Sequence, residues 1–483
     1  MRHFRLTSLL SATTAAALTA GCTVGPDYQT PSVTTPAAWE STPPGVNADG
    51  TADLTRWWTA FDDPVLDRLM EDAVAGNHDL RIAGQRVLEA RADRAIAAAS
   101  GEPSLSASAT AERARQSKAM PFIPLGGIAN SFQAGFDASW EIDLFGKNRR
   151  AVEAADASLE AAEWDRRGVL VSLLGELGTD YAALRTAQAR IAIAQRTIAA
   201  DRDELDLARQ KFDHGLGSEL DVAQADAELQ QVSAQQPQLE TAVAQNAHAI
   251  AVLLGKPPEA LTDELSLPGR ALPAPPALPA LLPSEVVRNR PDLRRAERTA
   301  AAANAEVGVA IAAKFPSFNL ASTLGGDAGR LNRLLTGPGV AWSLAGSLAQ
   351  PIYAGGALDA AVEKARAESE ALRIAYEQSV FQAFAEVEDA LASLSNERRR
   401  FDSLQRAVSA NRTALDRANA LYRGGLTPFL NVVTSERNLF AAEDALAQSD
   451  LTLTQQTVAL YKALGGGWQV AANAQPETPA PRP

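Results

Sequence analysis

Cys22 carries the only thiol in 483 residues. Its surroundings decide what a lone thiol can do. Arg2 and Arg5 precede an apolar stretch over 9–20, followed by Gly21 and Cys22. The stretch is too short to span a bilayer and reads as a secretory signal segment. Leu18-Thr19-Ala20-Gly21-Cys22 resembles a lipidation signal, with the leucine one place further from the cysteine than usual. The chemistry expected at Cys22 is thioether acylation after removal of residues 1–21. The competing reading is a small buried hydrophobe. One cysteine cannot form an internal disulfide.

Other reactive groups are scattered. His3, His78, His214 and His248 show no ligand spacing, and no cysteine cluster exists for zinc. No Gly-x-Ser-x-Gly elbow or phosphate-binding loop is present. The glycines of 325–329 only weakly resemble a nucleotide loop, and they lie between paired strands. No enzyme, metal or cofactor is therefore expected. Loss of Arg2 and Arg5 with the signal segment takes the formal charge from −13 to −15. Such an acidic chain offers no footing for nucleic acid. The remaining candidates, Glu219 and Asp221, stand at a helix reversal, so their role depends on the elements that carry them.

Those elements come in two copies. Gly215-Leu216-Gly217-Ser218-Glu219-Leu220-Asp221-Val222 returns 210 residues later as Gly425-Leu426-Thr427-Pro428-Phe429-Leu430-Asn431-Val432. Asp79-Leu80-Arg81 returns at an offset of 213 as Asp292-Leu293-Arg294. Two copies of one structural unit follow from the repeat. Every seventh residue from Leu170 is apolar through Leu177, Leu184, Ile191, Ile198, Leu205 and Phe212. The second copy matches it with Val380, Val387, Leu394, Phe401, Val408, Leu415 and Tyr422. A strict heptad predicts supercoiled helices over about 150–213 and 360–423, each roughly 95 Å long. They fit a rod or a tube, and a coiled-coil stalk fits equally.

Glycine permits the left-handed backbone that ends each long helix at His214-Gly215 and Gly424-Gly425. Ser218 is suited to an N-cap and Pro428 to a first helical turn, so each chain reversal leads into a returning helix, about 218–254 and 428–464. Shorter helices over about 78–100 and 292–314 precede the strands, and their lengths suggest stacking with the returning helices beside the long ones.

Between short and long helices the period becomes two. Phe132, Ala134, Phe136, Ala138, Trp140 and Ile142 alternate with Gln133, Gly135, Asp137, Ser139 and Glu141. Leu105, Ala107, Ala109 and Ala111 alternate with serines and Thr110; Phe318, Leu320, Leu324, Val340, Trp342, Leu344 and Leu348 repeat the pattern. Each copy supplies one hairpin, with connections at 120–130 and 325–339. One apolar and one polar face suits a membrane barrel, although a soluble sandwich has the same alternation. No other segment has the apolar length of a spanning helix, and four strands cannot close a barrel, so a membrane reading requires strands from several subunits.

At this point whole motifs match. Cys22 to Pro31 looks like the start of a mature outer-membrane lipoprotein, and Thr23 rather than Asp after the cysteine favours the outer membrane under the bacterial sorting rule. Trp57-Trp58, Phe61 and Asp63-Pro64-Val65-Leu66, then Trp140-Glu141-Ile142-Asp143-Leu144-Phe145-Gly146, occur in order. Arg290-Pro291-Asp292-Leu293-Arg294, Ala296-Glu297 and Phe315-Pro316 follow. From Cys22 to about Gly466 the chain resembles the TolC-like bacterial outer membrane efflux proteins, specifically the NodT-type lipoproteins of tripartite pumps.

The resemblance implies a mixed, mainly α fold with internal duplication. Long coiled-coil helices would form an α-helical tunnel in a homotrimer, and two β-hairpins per chain would contribute to a shared 12-stranded membrane β-barrel. It implies a periplasmic adaptor protein and an inner-membrane transporter, most often of the resistance–nodulation–division type, as partners. Substrates pass without chemistry through an outer-membrane channel with a long periplasmic extension, anchored to lipid through Cys22. The rival readings are a tethered periplasmic coiled-coil scaffold, which leaves the strands without purpose, and a diffusion porin, which leaves the long helices unexplained.

The expected organisation is a signal peptide over 1–21, a lipidated extended segment over 22–56, and repeat 1 over 57–255 with hairpin 103–145 and tip 214–221. A proline-rich linker over 256–290 leads to repeat 2 over 291–465, with hairpin 316–354 and tip 424–431. A disordered tail occupies 466–483. Relatives close the tunnel and meet the adaptor at the tips, which here are Gly215, Leu216, Ser218, Glu219, Leu220 and Asp221, and Gly424, Gly425, Leu426, Thr427, Pro428, Phe429, Leu430 and Asn431. Turn geometry alone accounts for the glycines, and helix-start preference accounts for the acids. The sharper reading sets Asp221 near a constriction. Asn431 and Thr434 stand where some relatives carry carboxylates, so an apolar constriction from Leu430 or Phe429 replaces an acidic ring. Trp140 and Trp342 are the candidate membrane-interface aromatics. Trp57 and Trp58 are expected in the core under the first helix.

Overall fold

A computed structural model describes residues 23–41, 54–115, 128–267, 272 and 283–472, with the backbone alone at 471 and 472. Cys22 and most of the 120–130 connection lie outside the described residues. The main elements are α1 (Pro64–Gly76), α2 (His78–Ala99), β1 (Ser104–Arg115), β2 (Ile128–Ile142), α3 (Lys147–Asp213), α4 (Glu219–Ser233) and α5 (Gln236–Leu253). They continue as α6 (Pro283–Asn289), α7 (Pro291–Ala312), β3 (Ser317–Ala328), β4 (Val340–Ala349), α8 (Ala357–Arg423) and α9 (Phe429–Ala463). Helices α3 and α8 each hold 67 residues, about 100 Å at 1.5 Å per residue. The chain divides into two compact units.

The first unit comprises Met1–Ser32, Arg86–Glu163 and Arg295–Glu377. Its sheet runs in the order β1-β2-β3-β4, antiparallel throughout. Register sets Ala107 against Phe136, Phe136 against Leu324, and Leu324 against Trp342. One face is therefore apolar, and it is bare: Leu105, Phe136, Trp342, Leu344 and Leu348 are all exposed. The opposite face is polar and internally bonded. Ser108 Oγ donates to Asp137 Oδ2 at 2.9 Å, and the Thr323 and Ser343 hydroxyls meet at 2.8 Å. Among the described residues, β1 and β4 each keep one unpaired edge. The second connection is shorter than the sequence implies, because β3 runs through Gly325 to Ala328 before two short turns at Leu331–Arg333 and Gly337–Gly339.

A strap over 23–32 completes this unit. Val24 N donates to Phe145 O at 3.1 Å, just after β2. Arg150, whose side chain is 4% exposed, donates to Val24 O at 3.1 Å, Gly25 O at 3.2 Å, Asp27 Oδ1 at 2.8 Å and Glu153 Oε2 at 2.7 Å. Gly25 has φ +97°, and a Cβ there would stand 2.5 Å from Gly308 Cα. Tyr28 Oη donates to Glu297 Oε1 at 2.9 Å. The motif glutamate of α7 thus holds the strap, which gives a physical reason for its presence.

The second unit comprises Val33–Gln85, Trp164–Arg294 and Gln378–Pro483. Heptad residues Leu170, Leu177, Leu184, Val380, Val387 and Leu394 are completely buried, as their spacing predicts. Phe212, the last of its series, is 46% exposed because α3 ends one residue later. Trp57 and Trp58 are core residues: Trp57 stacks on Tyr461 at 5.3 Å and meets Trp58 edge-on at 5.8 Å. Asp63 caps α1 by accepting from Val65 N and Leu66 N, and it also accepts from Tyr181 Oη at 2.8 Å. Arg290 pairs with Asp292 at 2.7 Å and donates to Ala463 O at 3.1 Å, tying the start of α7 to the end of α9.

Two expectations need correction, and the linker between the repeats adds an observation of its own. The helix read over 218–254 is broken at Ala234-Gln235, because Pro237 has no amide to give the Ser233 carbonyl. Ala447 occupies the equivalent place in α9, which runs unbroken. The proline-rich linker does support short helical turns, at Pro258–Leu261, Thr262–Leu265 and α6, since proline suits a first turn. The tail is not disordered from 466. Trp468 meets Trp164 edge-on at 5.5 Å and donates Nε1 to Asn289 O at 3.1 Å, and Gln469–Ala472 forms a turn. Residues 473–483 lie outside the described residues.

Candidate functional site

The two reversals are built alike. At the end of α3, Leu216 N donates to Lys211 O at 2.8 Å and Gly215 N to Phe212 O at 2.9 Å. At the end of α8, Leu426 N donates to Leu421 O at 2.9 Å and Gly425 N to Tyr422 O at 3.0 Å. This pair of bonds closes a helix through a left-handed residue, and Gly215 and Gly425 have φ +72° and +73°. The motif recurs 210 residues on, as the sequence does.

The starts of the returning helices differ. Ser218 Oγ accepts from Asp221 N at 3.2 Å, while Asp221 Oδ2 accepts from Ser218 N at 3.1 Å. This reciprocal box satisfies two otherwise free amides, so Asp221 is engaged in starting α4. Glu219 is exposed in the same first turn. Pro428 is itself the cap of α9, one place earlier than expected. Asn431 Nδ2 donates to Thr427 Oγ1 at 2.6 Å, and Thr434 Oγ1 to Leu430 O at 2.7 Å.

Four tip leucines face solvent. Leu216 and Leu426 are 79% and 76% exposed, and Leu220 and Leu430 are 64% and 55% exposed. Each pair is related by the 210-residue offset. Phe429 does not join them: it is 2% exposed and packs on Tyr422 at 5.1 Å. The aromatic reading of the constriction is therefore corrected, since position 429 turns inward to the seam and only Leu430 stays free. Behind the tips, Ile198, Leu205, Leu229, Tyr422, Phe429, Val432 and Val433 form one apolar cluster.

Sequence reasoning missed two features of this seam. Lys211 Nζ donates to Tyr422 O at 2.9 Å and stands 3.7 Å from the centre of its ring, joining the ends of α3 and α8. Burial raises the Tyr422 phenol, and Asp221 and Glu204 push it further. Deeper in the seam lie acids on separate helices. Glu228 is buried and paired with Arg437. Asp201 and Glu436 are 2% and 5% exposed, and among the described residues neither has a basic partner of that kind. Glu436 lies within hydrogen-bonding reach of Asp201 and Glu204, and burial together with those neighbours pushes its carboxyl up to about 10. Asp201 and Glu204 are also raised, chiefly by burial. Sequence spacing puts Asp201 and Glu204 one turn apart, but only the folded contact of α3 with α9 brings Glu436 to them.

The two strand tryptophans sit at different levels. Register puts Trp342 level with Phe136, four residues from Trp140 along β2, about 13 Å. Trp140 Nε1 donates to Gly101 O at 2.8 Å, whereas the Trp342 side chain is largely exposed. Among the described residues no group of His, Cys, Asp and Glu has the geometry of a metal site, and no helix is long and apolar enough to cross a membrane.

Comparison with known proteins matches this arrangement. The sequence profile "Outer membrane efflux protein" matches residues 69–256 and 282–466. The chain is 32% identical to the toluene efflux pump outer membrane protein TtgC of Pseudomonas putida, over 98% of this chain and 99% of that one. It is 31% identical to nodulation protein T of Rhizobium leguminosarum bv. trifolii, over 95% and 97%. Among solved structures, the outer-membrane channel OprN superposes with a TM-score of 0.88 at 40% identity, covering 93% of this chain and all of that one.

Proposed function

The chain belongs to the outer membrane efflux protein family, and from that premise we propose that it is the outer-membrane channel of a tripartite efflux pump. It conducts substrates passively to the exterior from a periplasmic adaptor and an inner-membrane transporter of the resistance–nodulation–division type.

The observation that carries this reading is the four-stranded sheet, with an exposed apolar face and two edges left open among the described residues. A bilayer cannot satisfy open edges, so they must be paired by other copies. Three copies, joined β1 to β4, close a twelve-stranded barrel with the apolar face toward lipid and the serine-, aspartate- and threonine-bearing face toward the lumen. The long helices then line a periplasmic tunnel, and the tips form its closed end. The exposed leucine pairs at 216/426 and 220/430 supply the contact surface for the adaptor. Cys22 carries the lipid: the strap bonded to Phe145 and Arg150 brings Thr23 beside the end of β2, so an acyl chain on the preceding residue enters the bilayer next to the barrel.

The test is planar-bilayer conductance of the purified full-length protein, with the oligomer mass measured on the same sample. A trimer with small, flickering conductance that rises on substitution within 424–431 supports the channel. A monomer or dimer without conductance rejects it and leaves the tethered scaffold.

A further inference from the structure

We propose that Asp201, Glu204 and Glu436 form a proton-loaded latch that holds the returning helix α9 against α3 behind the tips. The inference concerns regulation of the closed end and rests, for its functional consequence, on the channel reading above.

The geometry sets the requirement for a proton. Asp201 and Glu204 lie one turn apart on α3, between the apolar residues Ile198 and Leu205. Glu436 comes from α9, one turn after the buried Val432 and Val433. Both oxygens of Asp201 and Oε2 of Glu204 are buried and accept no hydrogen bond from any N–H or hydroxyl among the described residues. A buried acceptor left in that state is costly, and adjacent buried carboxylates cannot all ionise. A proton on Glu436 eases both difficulties, because its O–H then donates to one neighbouring carboxylate oxygen and the seam carries one negative charge fewer.

The charged groups around the latch do not replace that proton. On α4, Glu228 acts on Asp201 as a repelling charge and is itself paired with Arg437 of α9. On α8, Asn419 bonds Glu204, and Arg423 attracts it from a distance. Tyr422 feels Glu204 as a repelling charge. Thus one cation faces Glu204, and among these neighbours none is matched to Asp201 and Glu436. Loss of the proton places like charges across a buried helix contact, and the seam opens there first. No metal-site geometry is present among the described residues, which favours a proton over a cation as the occupant.

The experiment uses the full-length protein in detergent. Amide exchange at 198–208 and 429–440 is followed from about pH 6 to about pH 9 and corrected for intrinsic chemistry, with α2 as internal reference. One released proton makes the opening equilibrium about tenfold more favourable per pH unit, so wild-type protection falls across the range. Glu436→Gln keeps an N–H donor at every pH and is expected to give a flat profile at high protection. Asp201→Asn is the second variant, expected to flatten the profile by removing one of the repelling charges. An infrared difference between wild type and Glu436→Gln at neutral pH should show the C=O stretch of a protonated carboxyl. Identical pH profiles in wild type and Glu436→Gln, or no such band, overturn the latch. Protection restored by Mg2+ rather than by acid overturns it in favour of a cation. Bilayer conductance on the same samples separates the two readings. Conductance that rises with pH in wild type and not in Glu436→Gln supports both, while a pH-dependent seam in a protein that never conducts keeps the latch and rejects the channel.

Discussion

The Lys211 ammonium lies 3.7 Å from the centre of the Tyr422 ring and donates to that residue's own carbonyl at 2.9 Å. The same carbonyl accepts from Gly425 N, so one oxygen terminates α8 and ties it to α3. Substitution Lys211→Met removes the charge and the donor while keeping much of the stem. Local stability should fall by about 1–2 kcal/mol, the combined scale of a partly desolvated cation–π contact and a charged hydrogen bond. Faster amide exchange at 420–426, with the long helices otherwise unchanged, is the expected readout; Lys211→Arg should recover part of it.

Gly425 offers a cleaner measure of backbone cost. Its φ is +73°, and nothing lies within 4 Å of where a Cβ would stand. Gly425→Ala should therefore destabilise the reversal by about 1–2 kcal/mol through conformation alone. Gly425→Asn should cost less, because asparagine tolerates the left-handed region. The same order is expected at Gly215, and thermal unfolding of wild type and both variants at each site would measure it.

Arg150 is the residue on which the N-terminal strap depends. Its removal in Arg150→Met leaves Val24 O, Gly25 O and Asp27 without their shared donor. A loss of about 2–3 kcal/mol in strap docking is expected, read as new protease cleavage within 23–32. Lysine lacks the planar fork and should rescue little. Cleavage patterns equal to wild type would show that Tyr28 and Glu297 hold the strap unaided.

Asp180 supplies a pH effect far from the tips. Burial, and then Glu176 one turn before it, raise its carboxyl from 3.8 to about 6. Between those values the folded chain keeps a proton that the unfolded chain has released, so stability falls as pH rises. The packing is at full strength below the ordinary carboxylate value and has lost its increment above about pH 6. The group is only half-buried, so screening limits the effect to about 1 kcal/mol. Asp180→Asn should abolish this slope and raise the unfolding temperature at neutral pH, while leaving acid stability unchanged.

Much of the fold was legible because it repeats and because its periods are long. Leu170 to Leu205 announces α3 by a sustained seven-residue spacing, and Gly215 announces its end. Phe136 and Trp342 lie on the alternating face that the sheet leaves exposed. The break at Ala234-Gln235 was also written in the chain, in Pro237, but a strong flanking helix pattern hid it. The buried acids were not legible. Asp201, Glu204 and Glu436 have the composition of solvated helix faces, and their burial comes from α9 folding back across α3. Phe429 misleads for the same reason: position on a tip suggests exposure, whereas contact with Tyr422 decides it.

The two open edges of the sheet have a genetic consequence. In the proposed trimer each copy offers β1 to one neighbour and accepts it with β4 from another, so no position in that ring can be left to a defective chain. A variant that folds and pairs but spoils one reversal would therefore be carried into assemblies otherwise made of sound copies. With equal expression of both, random mixing in threes leaves only about one ring in eight wholly wild type. Such alleles should behave as dominant, while alleles that destroy strand pairing should be silent beside an intact gene.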